Sequence, residues 1–184
     1  MRYFAVVVSS ILMCGSSLAT SVNAATLPEL AEALNTRFDV MKDVAGYKAA
    51  NHLPVEDLPR EKNVLLKAHS AARDVMLDPQ SIDAFVQTQM AISKNIQYRY
   101  LDRWRLQPEK AWQPRPLKEV RAQILQLDNM ILNLISRQIL TGGGFGEEQD
   151  HMLARLLDDK QISDLEKAQL IDALGKIKRR QLPV

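Results

Sequence analysis

Lys48-Ala-Ala-Asn-His-Leu-Pro-Val-Glu-Asp-Leu-Pro-Arg-Glu61 decides how this chain is read. The stretch joins two helical patterns. Leu53-Pro54 stops the first, because the residue before a proline is pushed out of the helical region. Asp57 is placed to cap the second, with Pro59 early in its first turn. Lys48 therefore falls at the end of one helix and Arg60-Glu61 in the opening turn of the next. Two cations and a carboxylate at a helix junction make a candidate anion site, although terminal lysines and charged turns are also ordinary surface features.

On the N-terminal side, Thr26-Leu-Pro-Glu29 reads as a capping box with proline in the first turn, opening a helix that runs to about Asn51. Met1 to Ala24 reads as a cleavable signal peptide rather than as part of the fold. Arg2 supplies the positive start, Phe4 to Met13 a mostly apolar run, and Val22-Asn23-Ala24 a small-residue cleavage pattern. The run is too short to anchor the chain in a bilayer. Cys14 invites a lipoprotein reading, but Met13 stands where a small residue is expected. Cleavage after Ala24 predicts a periplasmic or secreted chain starting at Ala25.

On the C-terminal side, Arg60 to about Met76 is a second helix, and Asp78-Pro79 starts a third that runs to about Arg105. Trp112-Gln-Pro-Arg-Pro116 is a linker and Leu117 to Leu140 a fourth helix. Gly142-Gly-Gly-Phe-Gly146 breaks the chain and reads as a hinge. Two shorter helices follow, at about 147–158 and, behind the capping box Ser163-x-x-Glu166, about 164–179. Nothing alternates in polarity as a sheet would. The expected class is all-α: one domain over 25–184, a bundle of about six helices, three of them long. Its site lies between helices over about 30–140, with scaffold helices after 147.

About 160 mature residues suffice for one core. Cys14, the only cysteine, leaves with the leader, so packing rather than disulfides must hold the fold. With 24 basic and 22 acidic residues and no basic tract, nothing points to nucleic acid. No second apolar span points to a membrane after cleavage. His52, His69 and His151 lack metal-ligand spacing, and the glycine run lacks the context of a phosphate loop.

The informative residues are those that interrupt the apolar seams. On the first helix, Leu30, Leu34, Phe38, Met41, Val44 and Ala45 form the stripe, with Arg37 and Lys48 inside it. Eleven residues at about 100° each bring the two cations to within about 20° of one another. On the third helix Gln89, Ser93 and Gln97 lie within the stripe; on the fourth, Arg121 and Asp128 do. A lysine or arginine stem can cover apolar surface with its charge in water. Three cations on two seams, joined by Arg60, nevertheless outnumber Asp57, Glu61 and Asp128 as comfortable counter-charges. An anion with more than one acidic group would balance them.

Arg37, Lys48, Asp57, Arg60-Glu61, Ser93 and Gln97 fall in the order and spacing of the all-helical chorismate mutases, and the chain resembles that family over roughly Leu30 to Leu140. Arg121-x-x-Ile124-x-x-Leu127-Asp128 looks like the pattern with which cytoplasmic members begin. Here it comes last, which, with the leader, resembles the exported subclass. The resemblance implies conversion of the dicarboxylate chorismate to prephenate without cofactor or metal. It implies Lys48 and Gln97 as catalytic residues. Arg37 and Arg121 would hold carboxylates, Arg60 and Asp57 shape the junction, Glu61 accept the ring hydroxyl and Ser93 add a polar contact. It further implies a homodimer, with each site built within one chain. An isochorismate pyruvate-lyase of the same fold, or a non-catalytic periplasmic protein binding an anion, would share most of these features.

Overall fold

The structure, a computed structural model, describes residues 22–158 and 160–181, with side chains from Thr26 onward. Most of the expected leader lies outside these residues. Seven helices follow one another: α1 Val22–Asp39, α2 Met41–Ala50, α3 Leu58–Asp74, α4 Asp83–Leu106, α5 Leu117–Thr141, α6 Glu147–Leu156 and α7 Asp164–Gly175. The class is all-α, as the periodicity predicts. α1 packs chiefly along α5, α2 along α4, and α6 and α7 close the bundle against α1 and α4.

The expected bundle of about six helices is met, with the first of them divided at Val40 into α1 and α2. The break is mild: Val40 N–H still reaches the Thr36 carbonyl at 3.3 Å and Val44 N–H the Val40 carbonyl at 3.2 Å. Helical phase is thus kept between Arg37 and Lys48. Thr26-Leu-Pro-Glu29 does not open the helix here, since α1 begins at Val22 and carries Pro28 inside it. Asp57 does cap α3, its side chain accepting from Arg60 N–H at 3.1 Å with a proline in the first turn.

Asp78-Pro79 caps a turn rather than a helix. The Asp78 carboxylate accepts from Gln80 N–H and its carbonyl from Ser81 Oγ, which delays α4 to Asp83. The last helix is also shorter than expected. Past Gly175 the chain leaves the helix and pairs with the α3–α4 turn, through Asp78 N–H to Lys178 O and Arg180 N–H to Met76 O, both 2.9 Å. The glycine run is a tight turn: Gly143 and Gly144 have positive φ, which residues with a Cβ adopt reluctantly, and Gln138 holds the Gly144 carbonyl.

Phe38, Leu34, Ile92, Ile96, Ile131 and Ile135 are fully buried at the centre. Each contributes about 1.5–3 kcal/mol by leaving water. The 107–116 connection crosses α2, where Trp112 stacks on Trp104 at 5.5 Å and lies against Gly46. A Cβ at Gly46 would come within 2.6 Å of that ring, so the strap requires glycine. The core therefore runs along α1, α4 and α5, and the interruptions in its seams converge at one end.

Candidate active site

All eight sequence-derived site residues line one cavity that opens to solvent: Arg37, Lys48, Asp57, Arg60, Glu61, Ser93, Gln97 and Arg121. Arg37 comes from the last turn of α1 and Lys48 from the last turn of α2. Arg60 and Glu61 sit in the first turn of α3, Ser93 and Gln97 one turn apart on α4, and Arg121 on α5. Met41, Val44, Val64, Met90 and Ile124 form apolar walls between them. Arg121 reaches this cavity within a single chain.

The polar groups are individually anchored. Arg37, 4% exposed, donates from Nε to Asp128 Oδ1 at 2.6 Å and from Nη1 to Ser93 Oγ at 2.8 Å. Ser93 Oγ donates in turn to the Gln89 carbonyl one helical turn back. Lys48, 7% exposed, donates from Nζ to the Val55 carbonyl at 2.6 Å. Arg121 pairs with Asp57 at 3.2 Å across the mouth. Gln97 Nε2 donates to the Ser93 carbonyl at 3.0 Å, while its buried Oε1 has no partner among the described residues. An amide bears two N–H bonds, so one donor of Gln97 remains beyond the bond to Ser93.

Two contributors, Lys94 and the Val55 carbonyl, were not singled out from the sequence, and a third, Asp128, was singled out without its specific partner. Lys94 lines the cavity and pairs with Glu61 at 3.0 Å. Its signal was its position one turn after Met90 and one turn before Gln97, at the edge of their face. The Val55 carbonyl is a backbone group that no side-chain pattern announces. Asp128 was expected inside the α5 seam; its role as the partner of Arg37 depends on α1 and α5 lying together.

Burial pushes the Lys48 ammonium below its ordinary range, with Asp57 opposing the shift and Arg121 adding to it. Five cations line the cavity (Arg37, Lys48, Arg60, Lys94, Arg121), against Asp57 and Glu61 with Asp128 behind Arg37. Two positive charges are left in excess, inside apolar walls that weaken screening by water. Such a site can hold a compact dianion and direct N–H donors at its interior atoms.

Residues 28–98 match the family described as chorismate mutase type II. A monofunctional chorismate mutase of Enterobacter agglomerans is 42% identical over 179 residues, spanning 97% of this chain and 98% of the relative. The chain belongs to the chorismate mutase family. A secreted chorismate mutase of Yersinia pestis is 43% identical over 124 residues, 67% of each chain. The crystal structure of the secreted chorismate mutase from Yersinia pestis superimposes with a TM-score of 0.75 at 32% identity, covering 84% of this chain and 97% of that one. The chorismate mutase match ends at Tyr98, whereas Arg121 arrives only from α5, beyond it.

Proposed function

We propose that the chain, a member of the chorismate mutase family, converts chorismate to prephenate outside the cytoplasm at the cavity between α1, α2, α3, α4 and α5. The observation that carries the reading is the convergence of Arg37, Lys48, Arg121 and Gln97, from four helices, on one apolar-walled cavity with two positive charges in excess. The reaction breaks one ether C–O bond and forms one C–C bond within a single molecule. It needs a held conformation and stabilised charge separation rather than a nucleophile.

Arg37 and Arg121 would bind the two carboxylates, where a guanidinium fork adds geometry as well as charge. Lys48 would exchange its bond to the Val55 carbonyl for a carboxylate and the ether oxygen. Gln97 would donate its second N–H to that oxygen as negative charge grows there. Glu61 would accept the ring hydroxyl, Ser93 would keep Arg37 aimed, and Arg60 and Asp57 would shape the mouth. Lys94 would hold Glu61 oriented.

Export is supported by the leader pattern over residues 1–24 and by relatives named as secreted enzymes. Removal of residues 1–24 would also leave Pro28 near the start of α1, the position a helix tolerates best. A homodimer is proposed from the family resemblance, and sedimentation of the mature protein tests it. The activity itself is tested by incubating purified mature protein with chorismate and identifying the product. Prephenate is expected. Pyruvate released from isochorismate, or binding without turnover, would overturn the reading.

A further inference from the structure

Val55, Glu56 and Asp57 are consecutive, and each is bound by a different helix. The Val55 carbonyl accepts from Lys48 on α2, the Glu56 carboxylate from Tyr98 on α4, and the Asp57 carboxylate from Arg121 on α5 while capping α3. This segment borders two hollows and so can act as a partition: Val55 and Asp57 line the cavity, while Glu56 and Asp57 line an adjoining outer hollow that also touches Lys48 and Arg121. Two of the three ties involve groups that substrate would engage, Lys48 and Arg121. The third does not. Tyr98 Oη lies 2.5 Å from both Glu56 oxygens, at a half-open position outside the cavity lining.

We propose that Glu56 and Tyr98 are positioning residues for the rearrangement, a latch that keeps the Val55–Asp57 partition in place while Lys48 and Arg121 transfer their hydrogen bonds to the substrate. The inference rests on the reading of Lys48 and Arg121 as substrate ligands. When Lys48 releases the Val55 carbonyl and Arg121 the Asp57 carboxylate, the buried Val55 side chain, the Glu56–Tyr98 bond and the Asp57 contacts at the start of α3 still hold the segment. Of these, the Glu56–Tyr98 bond alone ties it to α4 through a side-chain hydrogen bond. His52, at φ +54°, and Pro54 limit the conformations it can take but bond it to nothing across the cavity. A hydroxyl donating to a carboxylate is charge-assisted, and here it joins two side chains at the surface. Glu56 is held below the ordinary carboxylate range by that same bond, so the acceptor stays ionised at working pH. With the partition in place, Lys48 stays out of water, which strengthens its interaction with the ether oxygen as charge develops.

Tyr98→Phe removes the donor at a position 41% exposed to solvent, where the ring still fits. The expected result is a fall in kcat of about tenfold, because the partition no longer holds Lys48 and excludes water during the chemical step. The alkaline limb of kcat/KM should also move to higher pH, since water reaching Lys48 relieves the burial that depresses its pKa. The other charges that act on Lys48 (Asp57, Arg121, Glu56 and Glu61), with Arg37, Arg60 and Lys94 around the cavity, are all retained in Tyr98→Phe. Glu56→Ala should match Tyr98→Phe in kcat, with a smaller upward move of the alkaline limb because it also removes a carboxylate that raises the Lys48 pKa. The double variant should have a kcat no lower than either, and Glu56→Gln, which still offers an acceptor, should retain most of the activity. Wild-type kinetics in Tyr98→Phe, additive losses, or a limb that moves only downward with a lowered Tm would overturn the latch. Lys48→Ala run alongside separates the two failures: retained activity there rejects the site reading, whereas its loss with a normal Tyr98→Phe rejects the latch alone.

Discussion

Arg37 Nε lies 2.6 Å from Asp128 Oδ1, so the cavity's most buried arginine is held from behind by a carboxylate on α5. Asp128→Ala leaves that guanidinium without its counter-ion. Breaking a fully buried pair costs about 3–5 kcal/mol; with Asp128 itself one-fifth exposed, about 1–3 kcal/mol is expected. Chemical denaturation measures it, and kcat/KM should fall about tenfold as Arg37 loses its aim. A dicarboxylate inhibitor should raise the Tm of the variant more than that of the parent. Parental stability and kinetics together would show that Asp128 does not position Arg37.

Lys48→Ala and Arg121→Ala should each lower kcat/KM by at least about a hundredfold, or roughly 2.7 kcal/mol of transition-state stabilisation. Arg121→Ala should fold normally, because its pair with Asp57 is over one-third exposed and such pairs add about 0–1 kcal/mol. Arg37→Ala should lose activity to the same degree and also stability, since Asp128 is then left without its partner. Relief of crowding among the cavity's cations works against that loss, and on its own would leave the variant folded. Kinetics and denaturation on the three variants decide between them.

The buried Lys48 ammonium gives a pH signature. Activity that requires its charge is present below the lowered pKa and lost as pH rises through it, so kcat/KM should show an alkaline limb below the ordinary lysine value of 10.5. Stability has the opposite sign. Between the lowered pKa and 10.5 the unfolded chain binds the extra proton, so folding is progressively favoured as pH rises in that window. Taking the difference in unfolding free energy from Lys48→Met isolates this contribution from other alkaline titrations. A flat difference across the window would mean that Lys48 is not desolvated.

Gln97 sits with Nε2 on the Ser93 carbonyl and Oε1 buried without a partner among the described residues. An amide donates at any ordinary pH, whereas a carboxyl donates only when protonated. Gln97→Glu should therefore introduce an acid-dependent profile, active at low pH and falling as the new group ionises beside a dianion. One lost donor in a dry site costs about 2.7–4 kcal/mol. The comparison is kcat/KM from mildly acidic to mildly alkaline pH for both proteins. Superimposable profiles would remove Gln97 from the reacting atoms.

Intact-mass measurement of exported protein should give a chain beginning at Ala25. A chain retaining Met1, or one diacylated at Cys14, would overturn the proposal of a soluble exported enzyme.

Helix class and most helix positions followed from the chain itself, because apolar spacing, caps and prolines act within a few residues. Asp57 capping α3 and Ser163 with Glu166 capping α7 are local events and stand where the residues predict. The eight cavity-lining residues stood out as polar side chains on apolar seams or at a helix junction, costly to bury unless they meet a partner or a ligand. The resemblance to the all-helical chorismate mutases separated them from others on the same seams, such as Gln89. What the chain could not announce depends on partners distant in sequence. α7 stops at Gly175 because residues 178–180 find hydrogen bonds on the α3–α4 turn, about a hundred positions away. Asp128 holds Arg37 across 91 positions, and Lys94 meets Glu61 across 33. The acceptor of Lys48 is a main-chain carbonyl, which carries no residue code at all. Local pattern selected the groups; packing of α1 on α5 and α2 on α4 selected their partners, since only the assembled bundle brings those charges within bonding distance.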